Sequence, residues 1–474
     1  MSATTMQAAT GSETAAPAHR ADQKLTLGVC LGFGVGTVGV SIMLNAVTAY
    51  YPAFMSTVLG LSPAVAGYLM MGAKLYDAVV DLLIGSLSDR HRSKGGRRKP
   101  FMAVGALLSA ISFLMLFSPP ALSPTALIAY MIAGQIIYST AYSLFNVPYI
   151  AMPAELTHSY HDRTRLIGWR TVFVSIGQML AGAGTAAIIS AGGKGAHAYA
   201  TMGLVMALVI FGAMTASTVA VPRLHGPQTP EGQPPAQQPA MWSQLLLLVG
   251  NRPYMLLLGA KVFQFLSFAS AGATGLLYLL NVVGVGYQGQ IWLTVTANIV
   301  SALSMPLWVK LGGRIGKRRT YLIGVMLYGG VALSWLAVGH GIDTFGLVWR
   351  GVLSGAGGGC LILMSIAMLG DAMAYDRFTT GIAREGLMSS TVAVVEKASA
   401  ALGAGLLGVF LQAFHYVPTT GGKIVQQPAS AVMALTLGYA VIPAAMFLIN
   451  GIFLYLYDLD AAKLEAARKA ALGE

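Results

Sequence analysis

Asp77 and Asp81 stand four residues apart, with Lys74 three residues before the first, in a stretch from 63 to 88 that is otherwise almost wholly apolar. Spacings of three and four place all three side chains on one face of a helix. Two carboxylates one turn apart in a low-dielectric medium cannot both ionise cheaply, so they share a proton or hold a cation between them. The cost of such a pair depends on whether a small positive ion is bound, which is what an ion-coupled device requires. The plainer reading is a Lys74–Asp77 pair that only locks two helices, and it leaves Asp81 over.

A second charged pair, Glu396 and Lys397, lies in another apolar run. Adjacent helical residues point about 100° apart, so both cannot face the same neighbour. Lys397 is expected to face a cavity as the counter-charge to Asp77 and Asp81. Glu396 is either a coupling group or a partner for another basic residue. Tyr142, Ser143, Asn146 and Tyr149 form a polar set in a third run, with Ser143 and Asn146 on one face. Pro148 follows and frees a backbone carbonyl, which suits a binding cavity; interhelical hydrogen bonding is the plainer alternative.

The elements that must position these residues are membrane helices. The chain has 474 residues, 55% hydrophobic and only 10% charged, against roughly 25% charged in ordinary soluble domains. Apolar runs fall near 27–57, 63–88, 101–118, 124–152, 168–190 and 199–221, then near 253–283, 288–310, 320–339, 345–373, 388–413 and 434–457. Each approaches the ~20 residues that cross a bilayer. The expected fold is an all-α membrane protein of twelve transmembrane helices, two six-helix bundles around a central cavity. Its parts are a tail at 1–26, a bundle at 27–221, a Pro-rich linker at 222–252, a second bundle at 253–457 and a tail at 458–474, the last an expected amphipathic surface helix.

The net charge of +12 does not imply nucleic-acid binding, because the basic residues lie in short clusters between apolar runs. With the N-terminus in the cytosol, 23 of the 29 Lys and Arg fall in cytosolic segments and only Lys194 and Lys423 on the other side. The positive-inside rule then puts both termini in the cytosol. The loop after the second run (Gly85 to Lys99) and that after the eighth (Gly312 to Arg319) carry similar Gly–Arg patterns, as a duplicated six-helix unit would leave. Gly34, Gly36 and Gly39 satisfy G-x-G-x-x-G, but inside a continuous apolar run they are expected to serve helix packing, not a nucleotide. Cys30 and Cys360 offer no disulfide framework or metal spacing. No nucleophile–base pair or metal cluster is visible, so an enzyme is not expected.

Several ordered motifs resemble the glycoside–pentoside–hexuronide:cation symporters of the major facilitator superfamily. Lys74-Leu-Tyr-Asp77 through Asp81 to Gly85-Ser-Leu-Ser-Asp89-Arg90 is similar to the family's second-helix signature. Asn146-Val-Pro-Tyr149, Glu155-Leu-Thr and Asp162-Arg163-Thr-Arg165 resemble its fourth helix and following loop. Asn251-Arg-Pro253, Gly370-Asp371, Tyr375-Asp376 and Arg384-Glu385-Gly386 resemble later segments, and Lys397 falls where the family keeps a helix-eleven lysine.

The resemblance implies a cation site and a substrate site in one cavity. Asp77 and Asp81 match the cation-binding aspartates, and Ser143 replaces a threonine ligand of a sodium-coupled member. Val80 replaces an asparagine of that member, which favours H+ over Na+, since hard cations want several oxygens. Ser41 and Asn146 stand where a galactoside-carrying member has aspartates, and Arg170 keeps an arginine beside Trp169. The expected substrate site is therefore Ser41, Lys74, Asn146, Tyr149, Trp169, Arg170 and Lys397. It suits a sugar, glycoside or uronate, or alternatively a non-sugar anion or lysolipid-like amphiphile. Asp89, Glu155, Arg163, Arg314, Asp371 and Arg384 are expected to form gating ion pairs. No cofactor is expected beyond the coupling ion, H+ or Na+, and no metal beyond Na+ at Asp77 and Asp81. The expected partners are the small-molecule substrate and membrane lipids, not nucleic acid, and the expected state is a monomer in a bacterial inner (cytoplasmic) membrane. An efflux antiporter and a non-transporting membrane sensor or scaffold remain the alternatives.

Overall fold

Helix starts follow local capping chemistry. Ser62 Oγ accepts from the Val65 N–H at 3.4 Å with Pro63 opening the helix, Asn251 Oδ1 from Tyr254 at 3.0 Å with Pro253 close behind, and Asp343 Oδ1 from Gly346 at 2.8 Å. Each satisfies a backbone donor that the first helical turn leaves unpaired. The longest helix ends at Gly381, whose φ of +70° is a conformation glycine adopts without strain.

The computed structural model describes residues 26–91, 96–157, 160–222, 248–382 and 384–472, with the backbone alone at 89, 90, 154, 155, 160, 161, 163 and 164. The first six crossing helices are α1 (Leu27–Thr57), α2 (Pro63–Arg90), α3 (Lys99–Phe117), α4 (Pro124–Leu156), α5 (Tyr160–Met179, continuing through a π turn at Leu180–Gly184 into Thr185–Ala191) and α6 (Ala196–Ala220). The second six are α7 (Arg252–Tyr278, with a π turn at Leu279–Val283), α8 (Gly286–Ile315), α9 (Lys317–Ser334), α10 (Thr344–Thr380), α11 (Glu385–Ala413) and α12 (Ala429–Thr436, a π turn at Leu437–Val441, then Ile442–Leu456). A terminal helix, α13 (Ala461–Leu472), packs on α10 with Lys463 over the Tyr375 ring.

Among the described residues, eleven helices are long and apolar enough to cross a bilayer. α2 is the twelfth. Its composition is spoiled by Lys74, Asp77 and Asp81, yet its 28 residues reach about 42 Å at 1.5 Å per residue. The surface is apolar, with Leu82 78% exposed and Leu303 75% exposed, while Ser143, Thr185 and Asn450 are wholly buried. That inversion fits a hydrocarbon surrounding.

Packing repeats between the two sets of six. α1 packs on α5 and α6, α3 on α4 and α6, and α2 on α4; likewise α7 packs on α11 and α12, α9 on α10 and α12, and α8 on α10. The halves meet with the same symmetry, α2 on α11, α5 on α8, and α1 on α7. The α1 glycines are packing residues: Gly34 faces Phe173, Gly36 faces Ser217 and Phe145, and Gly39 faces Met214. A Cβ at Gly36 would lie 2.6 Å from Ser217 Oγ.

The two halves are sealed at the face opposite the termini. There the end of α1 zips to the α11–α12 loop, with Thr419 N–H donating to Ser56 O at 2.8 Å and Gly421 N–H to Val58 O at 2.9 Å. Tyr199 and Tyr287 share a hydroxyl–hydroxyl bond of 2.8 Å, and the Tyr50 hydroxyl donates to Gly182 O. On α2, Gly67 lies directly against Ala404 and Gly408 of α11.

Candidate cation and substrate sites

The α2–α11 contact carries the charged cluster. Lys397 Nζ lies 2.9 Å from Asp77 Oδ2 and also donates to Asp81 Oδ2, so one ammonium from the second half bridges both acids of the first. The Asp77 side chain is 7% exposed and that of Asp81 25%. From α4, Ser143 Oγ sits 3.2 Å from Asp77 Oδ1 and 2.5 Å from Asp81 Oδ1. A hydroxyl carries one proton, so it donates to one carboxylate; the other contact is a hydrogen bond only if that carboxyl is protonated and donates back. With both acids ionised, the two carboxylates and one ammonium also leave one negative charge uncompensated within the contact cluster.

Lys74 is not the acids' partner. It makes no ion pair among the described residues and instead lines, with Asp77, Thr48 and Tyr142, a cavity of about 20 Å³. That is room for about one water-sized species. Glu396 makes no ion pair among the described residues and lies within the electrostatic reach of Lys261, Lys74 and Lys397. Lys261 is buried and donates to Ser365 Oγ at 2.7 Å.

The pattern of the family described as MFS/sugar transport protein matches residues 32–461. The chain belongs to the glycoside–pentoside–hexuronide:cation symporter family. This symporter is 26% identical to an uncharacterized symporter of Synechocystis sp., over 92% of its own length and 94% of the relative's. It is 26% identical to a putative sulfoquinovose importer of Salmonella typhimurium, over 83% of each chain. Its fold is similar to that of a bacterial homolog of the human lysosomal transporter Spinster, with a TM-score of 0.61 at 13% identity, covering 94% of this chain and 97% of that one. The fold is that of the major facilitator superfamily.

The symporter's other expected site residues divide into two groups. Tyr149 is wholly buried, donating to Phe33 O at 2.7 Å and lying 2.6 Å from Thr37 Oγ1. Asn146 Oδ1 and Arg170 Nε are buried without a hydrogen-bond partner, an acceptor and a donor left open on neighbouring α4 and α5. Ser41 is buried against Gly177 of α5, and Trp169 packs on the main core. Of the expected gating residues, Asp371 pairs with Lys317 at 2.6 Å, and Arg384 makes a buried two-pronged bond to Asp376 at 2.6 and 2.9 Å, which Asn251 joins at 2.9 Å. Both pairs lie within the second half. Arg314 is exposed and makes no ion pair among the described residues. The side chains of Asp89, Glu155 and Arg163 lie outside the described residues.

Sequence reasoning missed Asp376 as the partner of Arg384; the motif Tyr375-Asp376 was visible, but not which basic group it meets. It also missed a cavity of about 490 Å³ lined by residues of α1, α5, α7, α8, α9, α10 and α12. Asn45, Gln178, Gln290 and Asn298 border it, and no motif links them.

Proposed function

We propose that this cation symporter couples proton entry to uptake of an anionic sugar, a hexuronate or a sulfonated hexose. The bridging of Asp77 and Asp81 by Lys397 is the observation that carries the reading. An ammonium between two carboxylates occupies the place a cation would take. Arrival of a proton on the pair reduces the charge that holds Lys397, so the α2–α11 link between the halves loosens when the site is loaded. Units 27–221 and 253–457 then rock about that link, as inward- and outward-facing forms of such carriers require. With both termini in the cytosol, the seal at the face opposite them is that of an inward-facing form.

Proton coupling is favoured over sodium by the donor set. Two carboxylates and one hydroxyl converge there, with Val80 on the same helix offering no oxygen, which is thin for a hard cation and sufficient for a proton. The anionic substrate is supported by two basic groups without ion pairs among the described residues, Lys74 and Arg170 with its open Nε, and by the relative named a putative sulfoquinovose importer. A charge-assisted bond from guanidinium to carboxylate or sulfonate is the strong kind that offsets desolvation. The test is uptake of D-glucuronate and sulfoquinovose into proteoliposomes under an imposed proton gradient, with and without sodium. Accumulation that needs the proton gradient and not sodium is expected; accumulation driven by sodium alone overturns the proton assignment, and failure of both anions to accumulate while neutral sugars do overturns the anionic one.

A further inference from the structure

The charged pocket at Lys74 and Asp77 does not end there. Thr48 of α1 lines both it and the larger cavity of about 490 Å³, so the two spaces adjoin at this residue. The larger cavity has a different chemistry. Among the described residues no Asp, Glu, Lys or Arg lines it; its polar groups are the amides of Asn45, Gln178, Gln290 and Asn298 and the hydroxyls of Thr48, Thr294, Ser301 and Ser354, and its apolar walls include Phe268 and the rings of Tyr328 and Tyr439. Asn45 Nδ2 and Asn298 Nδ2 donate to carbonyls one turn back on their own helices, at 2.8 and 2.9 Å. Those bonds fix each amide's orientation and leave its oxygen free. Gln178 makes no hydrogen bond to the protein among the described residues. Oriented neutral amides beside aromatic faces recognise a polyhydroxylated ring: each amide offers both a donor and an acceptor, as a sugar hydroxyl does, and the ring's C–H face packs on the aromatics. The volume lies within the ~300–1,000 Å³ of small-molecule sites.

We infer that this amide-lined cavity between α1, α5, α7, α8, α9, α10 and α12 is the subsite for the hydroxylated ring of the substrate, with the anionic group directed past Thr48 toward Lys74. The inference rests on the anionic-sugar reading above and adds what reads the rest of the molecule. It draws the amides from both halves, Asn45 and Gln178 from the first and Gln290 and Asn298 from the second, with the aromatic walls on the second half and Lys74 on the first, so a bound substrate ties the halves together across the cavity. Closing of the halves around it would then depend on both ends being present. Gln178 and Asn298 are specificity-determining residues in this arrangement, acting on the neutral part of the substrate.

Two measurements test it. Cys30 and Cys360, the only native cysteines, are both buried, so Asn298→Cys gives a single accessible thiol for maleimide labelling. Sulfoquinovose or D-glucuronate is expected to slow labelling several-fold, and a small sulfonate without hydroxyls, such as methanesulfonate, to leave it unchanged. Gln178→Leu is expected to raise the half-saturation concentration for the sugar anion at least tenfold while proton–substrate stoichiometry is kept; Gln178→Asn is expected to lie between. Labelling at Asn298→Cys unaffected by a sugar anion that the wild-type protein demonstrably transports overturns the subsite and leaves the anionic-sugar reading standing. Transport of neither anion by the wild type overturns that reading itself. Equal protection by methanesulfonate and by the sugar anions also overturns the subsite, because ring recognition would then play no part.

Discussion

Replacing Lys397 by methionine keeps the length and apolar stem of the side chain and removes the charge that joins the halves. At 2.9 Å from Asp77 Oδ2, the Coulomb attraction is about 6 kcal/mol at an effective dielectric of ~20. Desolvation of the ammonium cancels part of it. Stranding a buried partner ordinarily costs about 3–5 kcal/mol, and here two acids are stranded, with Ser143 able to donate to only one. Lys397→Met should therefore destabilise by an amount in that range. Asp77→Asn alone should cost less, because it leaves Lys397 bonded to Asp81. The double variant should be less damaged than the sum of the singles, with a coupling of about 2–3 kcal/mol in a double-mutant cycle on unfolding in detergent micelles. Lys397→Met should also lose accumulation against a gradient, since the acids no longer have a group to release. Additive single effects, within about 0.5 kcal/mol, would refute the reasoning, because they would mean the three groups do not act as one unit.

Three further outcomes follow from other parts of the molecule. Asp376→Ala removes the acceptor of a buried Arg384 and of the Asn251 amide that caps α7, and should cost about 3–5 kcal/mol, read as loss of folded yield and a lower unfolding midpoint; an unchanged midpoint would contradict it. Gly67→Val puts a Cβ 2.7 Å from Ala404 O and 3.1 Å from the Gly408 Cα, and should wedge α2 from α11, so that Thr57→Cys in that background reacts faster with an impermeant maleimide than in the parent. The Lys463 bond at 2.8 Å depresses the Asp458 carboxyl below its usual range. A depressed folded value stabilises above the unfolded pKa of ~3.9 and is lost as pH falls through the folded value. With both side chains about 40% exposed, screening holds the gain below ~1 kcal/mol. Asp458→Asn should accordingly shift the unfolding midpoint slightly at pH 7 and leave no difference from the parent once the pH is below the folded value.

The membrane architecture was legible because it rests on run length and charge exclusion, and those are properties of the sequence itself. Even α2, whose charges lower its hydropathy, could be read as a span, since acids and a lysine at helical spacing in an apolar run need a buried polar neighbourhood. Lys397 could be matched to Asp77 and Asp81 by charge alone, because few ionisable residues lie inside the spans. The competing Lys74–Asp77 pair was equally allowed by spacing. Only the packing of α11 on α2 decides between them, and packing of helices distant in sequence is set by side-chain shape that no local pattern records. The same limit hid the Asp376 bond of Arg384, where several acids at helix ends were plausible partners. It hid the amide cavity more completely. Asn45, Gln178, Gln290 and Asn298 are neutral, common and scattered over three helices, so nothing marks them until the halves are assembled. Tyr149 is the converse case: its motif drew attention to it, and its hydroxyl is occupied by Phe33 O and Thr37 inside the first half.

Substrate-driven proton movement is the most direct measure of whether a small cation must discharge the two acids before the carrier turns over. Proteoliposomes holding the wild-type protein and a trapped pH dye, given a sugar anion in an unbuffered, sodium-free medium, should show proton entry with the substrate. Those holding the Asp77→Asn/Asp81→Asn variant should show none and should not accumulate the substrate. Concentrative uptake by that variant, at a rate near the wild type, would contradict the account.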